Sequence, residues 1–503
     1  MGSYIGQSNT VKISSVKATS FSLSPQQYRK VLLDDAYTKT VSELLVNDPQ
    51  TGKEVGSDAY VEKSDYIYIR TKGFGKNLFN LDLSIAESFS YIKPKSYETN
   101  CGKHEIRCAK EGDILFATGG DVGNACYVSK DYGNNIISSH ILKLNFGDLQ
   151  LYCLAILNTD LIKDQASLAP SGGIKGLDTF SSDYLLSAKI PLPKYKYDET
   201  IAFVSKLSKA NVDIENRLFE RIDEINNEIL NELNNNQLDN NYSYSLPKVS
   251  EVVSIGRLDT LRYSKKHKDF SSIIKNYKNG WNNLSGMGYL YERGQNLQIS
   301  NIGLSIYSDT PKENFYSLIL SKNFTKYCTY TCETYLGNKL KLNELNKGDI
   351  VFSSRGDYGR CVIVLDELQK TITNIDNIII TSDSENVNKD VFICLMMNLY
   401  RENGFIRTIG FVGSGADSLT QGQIDSIPFP LFGQSVIDDL AYKFTNDEID
   451  PNDLSDVNIQ KALEFGGIKE LEDLRKNIRS VLEQSIKTIA LGKDVFEPQK
   501  EQL

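Results

Sequence analysis

The sequence predicts an α/β (α+β) chain: two similar domains with mixed short strands and helices, separated by two long coiled-coil helices. Three observations predict it. GDILFATGGDVGNACYV, from Gly112, is repeated 236 positions later as GDIVFSSRGDYGRCVIV, from Gly348. Each copy leads through a β-type run (IISSHILKL; ITNIDNIII), an apolar stretch and a Ser-Gly-Gly or Ser-Gly-Ala turn to an Ile-Pro-x-Pro exit at Ile190 or Ile427. An acidic segment with apolar residues at threes and fours follows each exit. Two repeats are too few for a solenoid, so the duplication points to a partner met in two copies or two halves.

The first domain, residues 1–195, opens with FSLSPQQYRKVLLDD and continues through YVEKSDYIYIRTKGF, GDILFAT and NACYVSK, short β-branched or aromatic runs that read as strands. Asp113 and Asp349 precede strands and read as turn-formers. Gly119, Gly120 and Gly123, with Gly356 and Gly359 in the second copy, suit positive φ or close approach. LYCLAILNTDLIKDQA and DVFICLMMNLYRENGFIRT each read as a helix, and the turns Pro170–Lys175 and Gly413–Ala416 read as exposed.

Residues 196–240 form the first long spacer helix. Val204, Leu207, Ile214, Leu218, Ile222, Ile225, Ile229 and Leu233 recur at the spacing of a narrow amphipathic seam. The Asn-rich tract Asn231–Pro247 has linker composition, with the linker placed at 241–250. The second domain, 251–432, opens with IGRLDTLRYSKKHKDF, in which Leu258 and Tyr263 line up with Leu23 and Tyr28. Residues 433–503 form a second helical spacer region. Its seam, Ile468, Leu471, Leu474, Ile478, Val481, Leu482 and Ile489, follows a helix-poor insertion at 446–456 that contains Pro451. A bare seam of this length is too costly to leave in water. The two rods therefore pack on one another, or each folds back on its own domain. Leu207, Ile214, Leu218, Ile225, Ile229, Leu471, Leu474, Ile478 and Val481 are the candidate seam or partner-binding residues.

At 503 residues, with 40% hydrophobic and 24% charged content, the composition is that of a soluble globular protein of two to four domains. No run approaches the roughly 18 apolar residues of a membrane span, and the N-terminus lacks an apolar signal core, so a cytoplasmic location is expected. The eight cysteines fall mostly in apolar or strand-like runs and read as reduced, small buried hydrophobes. Cys101, His104 and Cys108, or Cys328 and Cys332, are residue types that bind zinc, but no pair has CxxC spacing and no metal is expected.

A net charge of −9 argues at first against a polyanionic partner. The charge is uneven, however. Residues 198–240 carry 4 basic and 10 acidic groups, and 433–503 carry 9 and 15, which leaves the rest of the chain slightly basic. Residues 251–350 hold 14 bases against 9 acids, among them Arg257, Arg262, Lys265, Lys266, Lys268, Lys275 and Lys278. Charge permits DNA binding without requiring it.

Catalytic patterns are weak. Phe411-Val412-Gly413-Ser414-Gly415 resembles an S-adenosylmethionine loop but occupies the slot of Ala169–Gly173 in the first repeat, and no Asn-Pro-Pro-Tyr or Asp-Pro-Pro-Tyr stretch accompanies it. Neither Asp113 nor Asp349 is followed by the spaced Glu-x-Lys of a Mg²⁺ nuclease. Of three histidines, His140 falls opposite Asp376 and reads as a polar strand residue. No catalytic residue is assigned. A protein-binding scaffold and a single-chain methyltransferase are the alternatives to a DNA-recognition protein.

Gly-Asp-Ile-x-Phe followed by Gly-Asp-x-Gly, the later Ser-Gly turn, the Ile-Pro-x-Pro exit into a helical rod and the Arg257-Leu258-Asp259…Tyr263 opening resemble the specificity subunit of type I restriction-modification systems. The resemblance covers almost the whole chain. It implies two target-recognition domains related by approximate two-fold symmetry and held apart by antiparallel helices, each reading half of an interrupted double-stranded DNA sequence. It also implies no catalysis in this chain. Two adenine methyltransferase subunits would supply S-adenosylmethionine chemistry, and restriction-translocase subunits would use ATP and Mg²⁺. The chain departs from internal symmetry at Ser22-Leu23-Ser24, opposite Arg257-Leu258-Asp259, and at the 446–456 insertion. Arg pairs with guanine and Asn or Gln with adenine. Candidate base readers are therefore Thr118, Asn124, Arg355 and Arg360, with Lys175 beside the first Ser-Gly turn; Arg262, Arg293, Lys339 and Lys341 are candidate phosphate contacts.

Overall fold

The β-branched runs of each repeat build the same pair of sheets. In the computed structural model, which describes residues 4–7, 29–75, 78–85, 87–120, 122–168, 181–238, 242–256, 260–356, 358–367, 370–382, 386–410 and 418–497, the chain divides into two units. Unit 1 comprises Met1–Arg217, Pro451–Leu463 and Asp473–Leu503; unit 2 comprises Leu218–Asp450 and Glu464–Glu472.

Unit 1 contains β1 (Gln50–Thr51), β2 (Tyr66–Ile69), β3 (Phe89–Tyr91), β4 (Ile114–Ala117), β5 (Ala125–Tyr127), β6 (Asn134–Ile137) and β7 (Ile141–Leu144). One antiparallel sheet has the order β1-β7-β4-β5; a second has the order β3-β2-β6, with β2 and β6 parallel. Unit 2 contains β8 (Tyr289–Arg293), β9 (Ile306–Ser308), β10 (Tyr316–Ile319), β11 (Tyr335–Gly337), β12 (Ile350–Ser353), β13 (Cys361–Ile363), β14 (Thr371–Thr373) and β15 (Asn377–Ser382). Its sheets run β8-β15-β12-β13 and β9-β11-β10-β14, again with a parallel β10–β14 pair. Strand for strand this is the unit 1 arrangement, with β9 added at an edge.

The repeat extends to single hydrogen bonds. Gly112 N donates to Val128 O (2.9 Å) and Gly348 N to Val364 O (2.8 Å). The carboxylates of Asp113 and Asp349 accept the N–H groups of Lys110 (2.8 Å) and Asn346 (2.7 Å), closing the entry turns that the sequence predicts. Gly52 and Gly294 show why these positions lack side chains. A Cβ on either would lie 2.1–2.2 Å from a backbone oxygen, that of Ser138 or Asn374.

Each β-type run that reads as one strand is two. Ile141 N bonds to Ser138 O (2.9 Å) and Asn377 N to Asn374 O (3.0 Å), turning the chain so that β6 and β14 join one sheet while β7 and β15 join the other. His140 is therefore an exposed turn residue and not the strand residue the sequence suggested.

The helices used below are α1 (Gln150–Leu157), α2 (Leu161–Ser167), α3 (Tyr197–Asn235), α4 (Lys265–Lys275), α5 (Val387–Glu402), α6 (Phe405–Gly410), α7 (Gln434–Phe444), α8 (Asp456–Phe465) and α9 (Ile468–Ala490). LYCLAILNTDLIKDQA is not one helix. Asn158 Nδ2 and Thr159 Oγ1 turn back onto Leu154 O and Ile156 O (3.0 and 2.7 Å), which satisfies the end of α1 and frees the chain to restart as α2. In unit 2, Gly404 at φ +76° ends the same stretch between α5 and α6.

Within unit 1, residues 197–217 of α3 run antiparallel to residues 473–490 of α9. Lys196 pairs with Asp494 (3.1 Å), Phe203 meets Phe496 (centroids 5.6 Å), and Glu215 faces Arg475 (3.5 Å). Leu207, Ile214, Leu474 and Ile478 are buried there; Val481 is half-buried and Leu482 takes the buried position beside it. In unit 2, Leu218, Ile225, Ile229 and Leu471 are buried, Lys443 on α7 pairs with Glu228 on α3, and Arg221 donates to Gly466 O. The Glu470 carboxylate accepts Thr445 Oγ1 (2.6 Å) and the N–H groups of Asn446 (3.1 Å) and Asp447 (3.3 Å), so it fixes the start of the insertion. No helix of the described residues is long and apolar enough to cross a membrane.

Candidate nucleic-acid interface

The loop after the repeated strand β4 or β12 and the turn before β7 or β15 meet at one end of the four-stranded sheet. In unit 1, Thr118 N donates to His140 O (2.8 Å); in unit 2, Ser354 N donates to Asp376 O (3.0 Å). Gly123 (φ +79°) and Gly359 (φ +89°) bond back to Ala117 O and Ser353 O, a left-handed step that favours glycine. Gly120 and Gly356 both lie at φ +71°. The two loops therefore share a backbone and differ in what they carry.

In unit 2 the loop carries guanidinium groups. Arg293, at the end of β8, donates from Nη1 to Ser354 Oγ (2.7 Å) and to Ile375 O (3.4 Å). Ser354 Oγ in turn donates to Asp376 O (2.7 Å). Arg355 donates from Nη1 to Asp376 Oδ1 (3.3 Å), while its side chain stays 66% exposed. Asp376 Oδ2 also accepts Asn374 Nδ2 (2.9 Å). Burial, then the charge of Arg355, lowers the Arg293 pKa from its ordinary value. Arg293 and Arg355, which the sequence assigned to different tasks, thus stand in one cluster with Asp376 as counter-ion.

The other candidates lie apart. Thr118 is half-buried at the corresponding place in unit 1. Asn124 is turned onto α2, where its Oδ1 accepts Lys163 Nζ (2.9 Å). Arg360, its repeat counterpart, is half-buried, and its charge acts on the buried thiol of Cys328. Lys339 and Lys341 are exposed after β11. Arg262 is half-buried beside Lys275, whose pKa is lowered by burial and then by the Arg262 charge. Lys275 Nζ lies over the exposed Trp281 ring (5.1 Å). Lys175, the Pro170–Lys175 and Gly413–Ala416 turns, and Leu23, Tyr28 and Leu258 lie outside the described residues.

Sequence reasoning missed Ser354, Asn374 and Asp376, which hold the two arginines. The signal was present, since Asp376 falls opposite His140 in the repeat. The eight thiols are unpaired: Cys101 and Cys332 half-buried, the others buried. Among the described residues no three His, Cys, Asp or Glu groups converge as metal ligands.

Residues 38–235 match the family model described as type I restriction modification DNA specificity domain. No curated protein matches the chain. Among solved structures it is similar to the type I restriction-modification system S subunit from M. genitalium, at 12% identity over 90% of this chain and 95% of that one, with TM-score 0.40. It is also similar to the HsdS subunit from Thermoanaerobacter tengcongensis, at 12% identity over 91% and 97%, with TM-score 0.27.

Proposed function

We infer that this chain, whose residues 38–235 carry a type I restriction modification DNA specificity domain, is the non-catalytic DNA sequence-recognition subunit of a type I-like restriction-modification complex. Each repeat reads one half of a bipartite interrupted site. Two adenine methyltransferase subunits methylate that site, and restriction-translocase subunits complete the assembly. S-adenosylmethionine, ATP and Mg²⁺ belong to those partners, and the complex works in the cytoplasm.

The observation that carries this reading is the duplication of one strand order, with equivalent loops at the same end of each four-stranded sheet. Two weak half-site contacts on one chain become a tight event, because the second is intramolecular. In this reading 1–195 and 251–432 are the target-recognition domains, 196–240 and 433–503 the spacer helices and 241–250 the linker. Thr118, Lys175, Arg355 and Arg360 contact bases, as does Asn124 once it releases Lys163, and Arg262, Arg293, Lys339 and Lys341 contact phosphates. The buried seam residues join the helices.

Selection from a pool of random duplexes by the full chain at moderate salt tests it. The expected product is a sequence with two fixed blocks and an unread gap. Recovery of no sequence preference at any salt would favour a protein-binding scaffold instead.

A further inference from the structure

We propose that Arg355, oriented by Asp376, reads a guanine in the half-site met by the second unit, and that the half-site met by the first unit has no equivalent guanine contact. This deepens the reading of the chain as a DNA-recognition subunit and rests on it.

The chemistry follows from the fork of N–H groups on arginine. A guanidinium has five donors in one plane. Arg355 places one on Asp376 Oδ1, which leaves four donors, and guanine needs two of them for O6 and N7 in the major groove. The orienting carboxylate is itself held. Its second oxygen accepts Asn374 Nδ2, and the Asp376 main-chain oxygen accepts both the N–H and the hydroxyl of Ser354. The backbone of Arg355 bridges Ser418, and the space where a Cβ on neighbouring Gly356 would stand is open. The arginine therefore sits on a fixed backbone at an exposed loop, next to a second guanidinium, that of Arg293, anchored on Ser354.

The first unit has the same backbone without these groups. By the repeat, Gly119 stands at the slot of Arg355 and His140 at that of Asp376. Thr51 stands at the slot of Arg293, since Thr51 pairs with Leu142 as Arg293 pairs with Ile378. A side chain at Gly119 would not fit as the loop is built, because its Cβ would fall 2.6 Å from His140 Nδ1. The asymmetry is thus three residues deep, since Gly119, His140 and Thr51 stand where the second unit has Arg355, Asp376 and Arg293.

The test is selection of interrupted sequences from random duplexes by the full chain and by Arg355→Ala, Arg355→Gln and Asp376→Asn, with melting curves and affinity for a non-specific duplex measured alongside. The wild type should prefer guanine at one position of one half-site by about tenfold or more. Arg355→Ala should flatten that position alone, and Arg355→Gln should move it toward adenine, a change that misfolding does not produce. Asp376→Asn should weaken the guanine preference, as loss of a positioning residue would, while non-specific affinity should not fall, since a carboxylate is removed from beside a polyanion. An interrupted sequence that survives Arg355→Ala unaltered overturns the proposal and leaves the proposed function standing. Guanine lost from both half-sites overturns the asymmetry. A wild type that selects nothing removes the functional reading and this inference together.

Discussion

Replacing Glu215 with alanine should destabilise unit 1 by about 3–5 kcal/mol, the usual cost of removing one member of a buried ion pair. Glu215 is fully buried. Its Oε2 accepts the N–H groups of Phe79 (2.8 Å) and Asn80 (2.9 Å), and its Oε1 accepts Asn211 Nδ2 (2.9 Å) and faces Arg475 Nη1 (3.5 Å). Asn80 Nδ2 donates to Val212 O (2.7 Å), and the Arg479 guanidinium lies over the Phe79 ring (5.8 Å). One carboxylate thus joins α3, α9 and the segment before β3. Burial raises its pKa, opposed by Arg475, Arg479 and the two backbone N–H groups. Alanine strips two buried N–H groups of their acceptor and removes a counter-charge from Arg475. Glu215→Gln, which keeps an acceptor, should cost less. Urea unfolding followed by hydrogen exchange in unit 1 measures both, and an alanine variant with wild-type stability would contradict this account of how the helices are held.

Asp349 and Asp390 should take stability from unit 2 as the pH rises, against the opposite pull of Asp425 and Asp438, whose pKa values are lowered, and Asp113, the repeat counterpart of Asp349, should take less from unit 1. Burial lifts Asp349 and Asp390 from 3.8 to about 6. The Asn346 N–H opposes this at Asp349 and the Tyr289 hydroxyl at Asp390, whereas Glu292 adds to it at Asp349 and Asp349 adds to it at Asp390. A carboxyl whose pKa is higher in the fold than in the unfolded chain binds its proton more tightly when folded. Its contribution is fully present below about pH 4 and is lost as the pH climbs through about 6. At neutral pH, Asp390→Asn removes one buried charge and keeps an acceptor for Tyr289. It should stabilise unit 2 by on the order of 1 kcal/mol, allowing for partial solvent screening, and flatten the profile. In unit 1 the pKa of Asp113 is also raised by burial, but Lys143 lies 3.4 Å away and neutral Gln150, not an acid, contacts Gly112. Melting curves from pH 4 to pH 8 test the difference; identical profiles for wild type and Asp390→Asn would refute it.

The duplication, the turn-forming aspartates and the α3 seam were legible because each depends on local pattern: Gly-Asp before a β-branched run, or apolar residues at threes and fours. The split of IISSHILKL into β6 and β7 was not legible. Both halves are apolar, and only the change of sheet at Ser138 separates them. The break between α1 and α2 was masked by apolar residues that run on through Leu157 and Leu161, although Asn158 and Thr159 are poor helix formers and end α1 by their side-chain bonds. At the candidate interface, residue type singled out Arg293, and residue type with a place on a Gly-rich loop singled out Arg355. Their shared anchor on Ser354 and the Asp376 turn needs β8 and β15 side by side, a contact between strands more than eighty positions apart.

In the proposed function this chain tells other subunits where on DNA to act. Methylome sequencing of the host with the gene intact and deleted tests it most directly. Adenine methylation at one two-block interrupted motif should be present in the first strain and absent in the second, with all other motifs unchanged. A methylome that is the same in both strains, while the partner methyltransferase is expressed, would contradict the account.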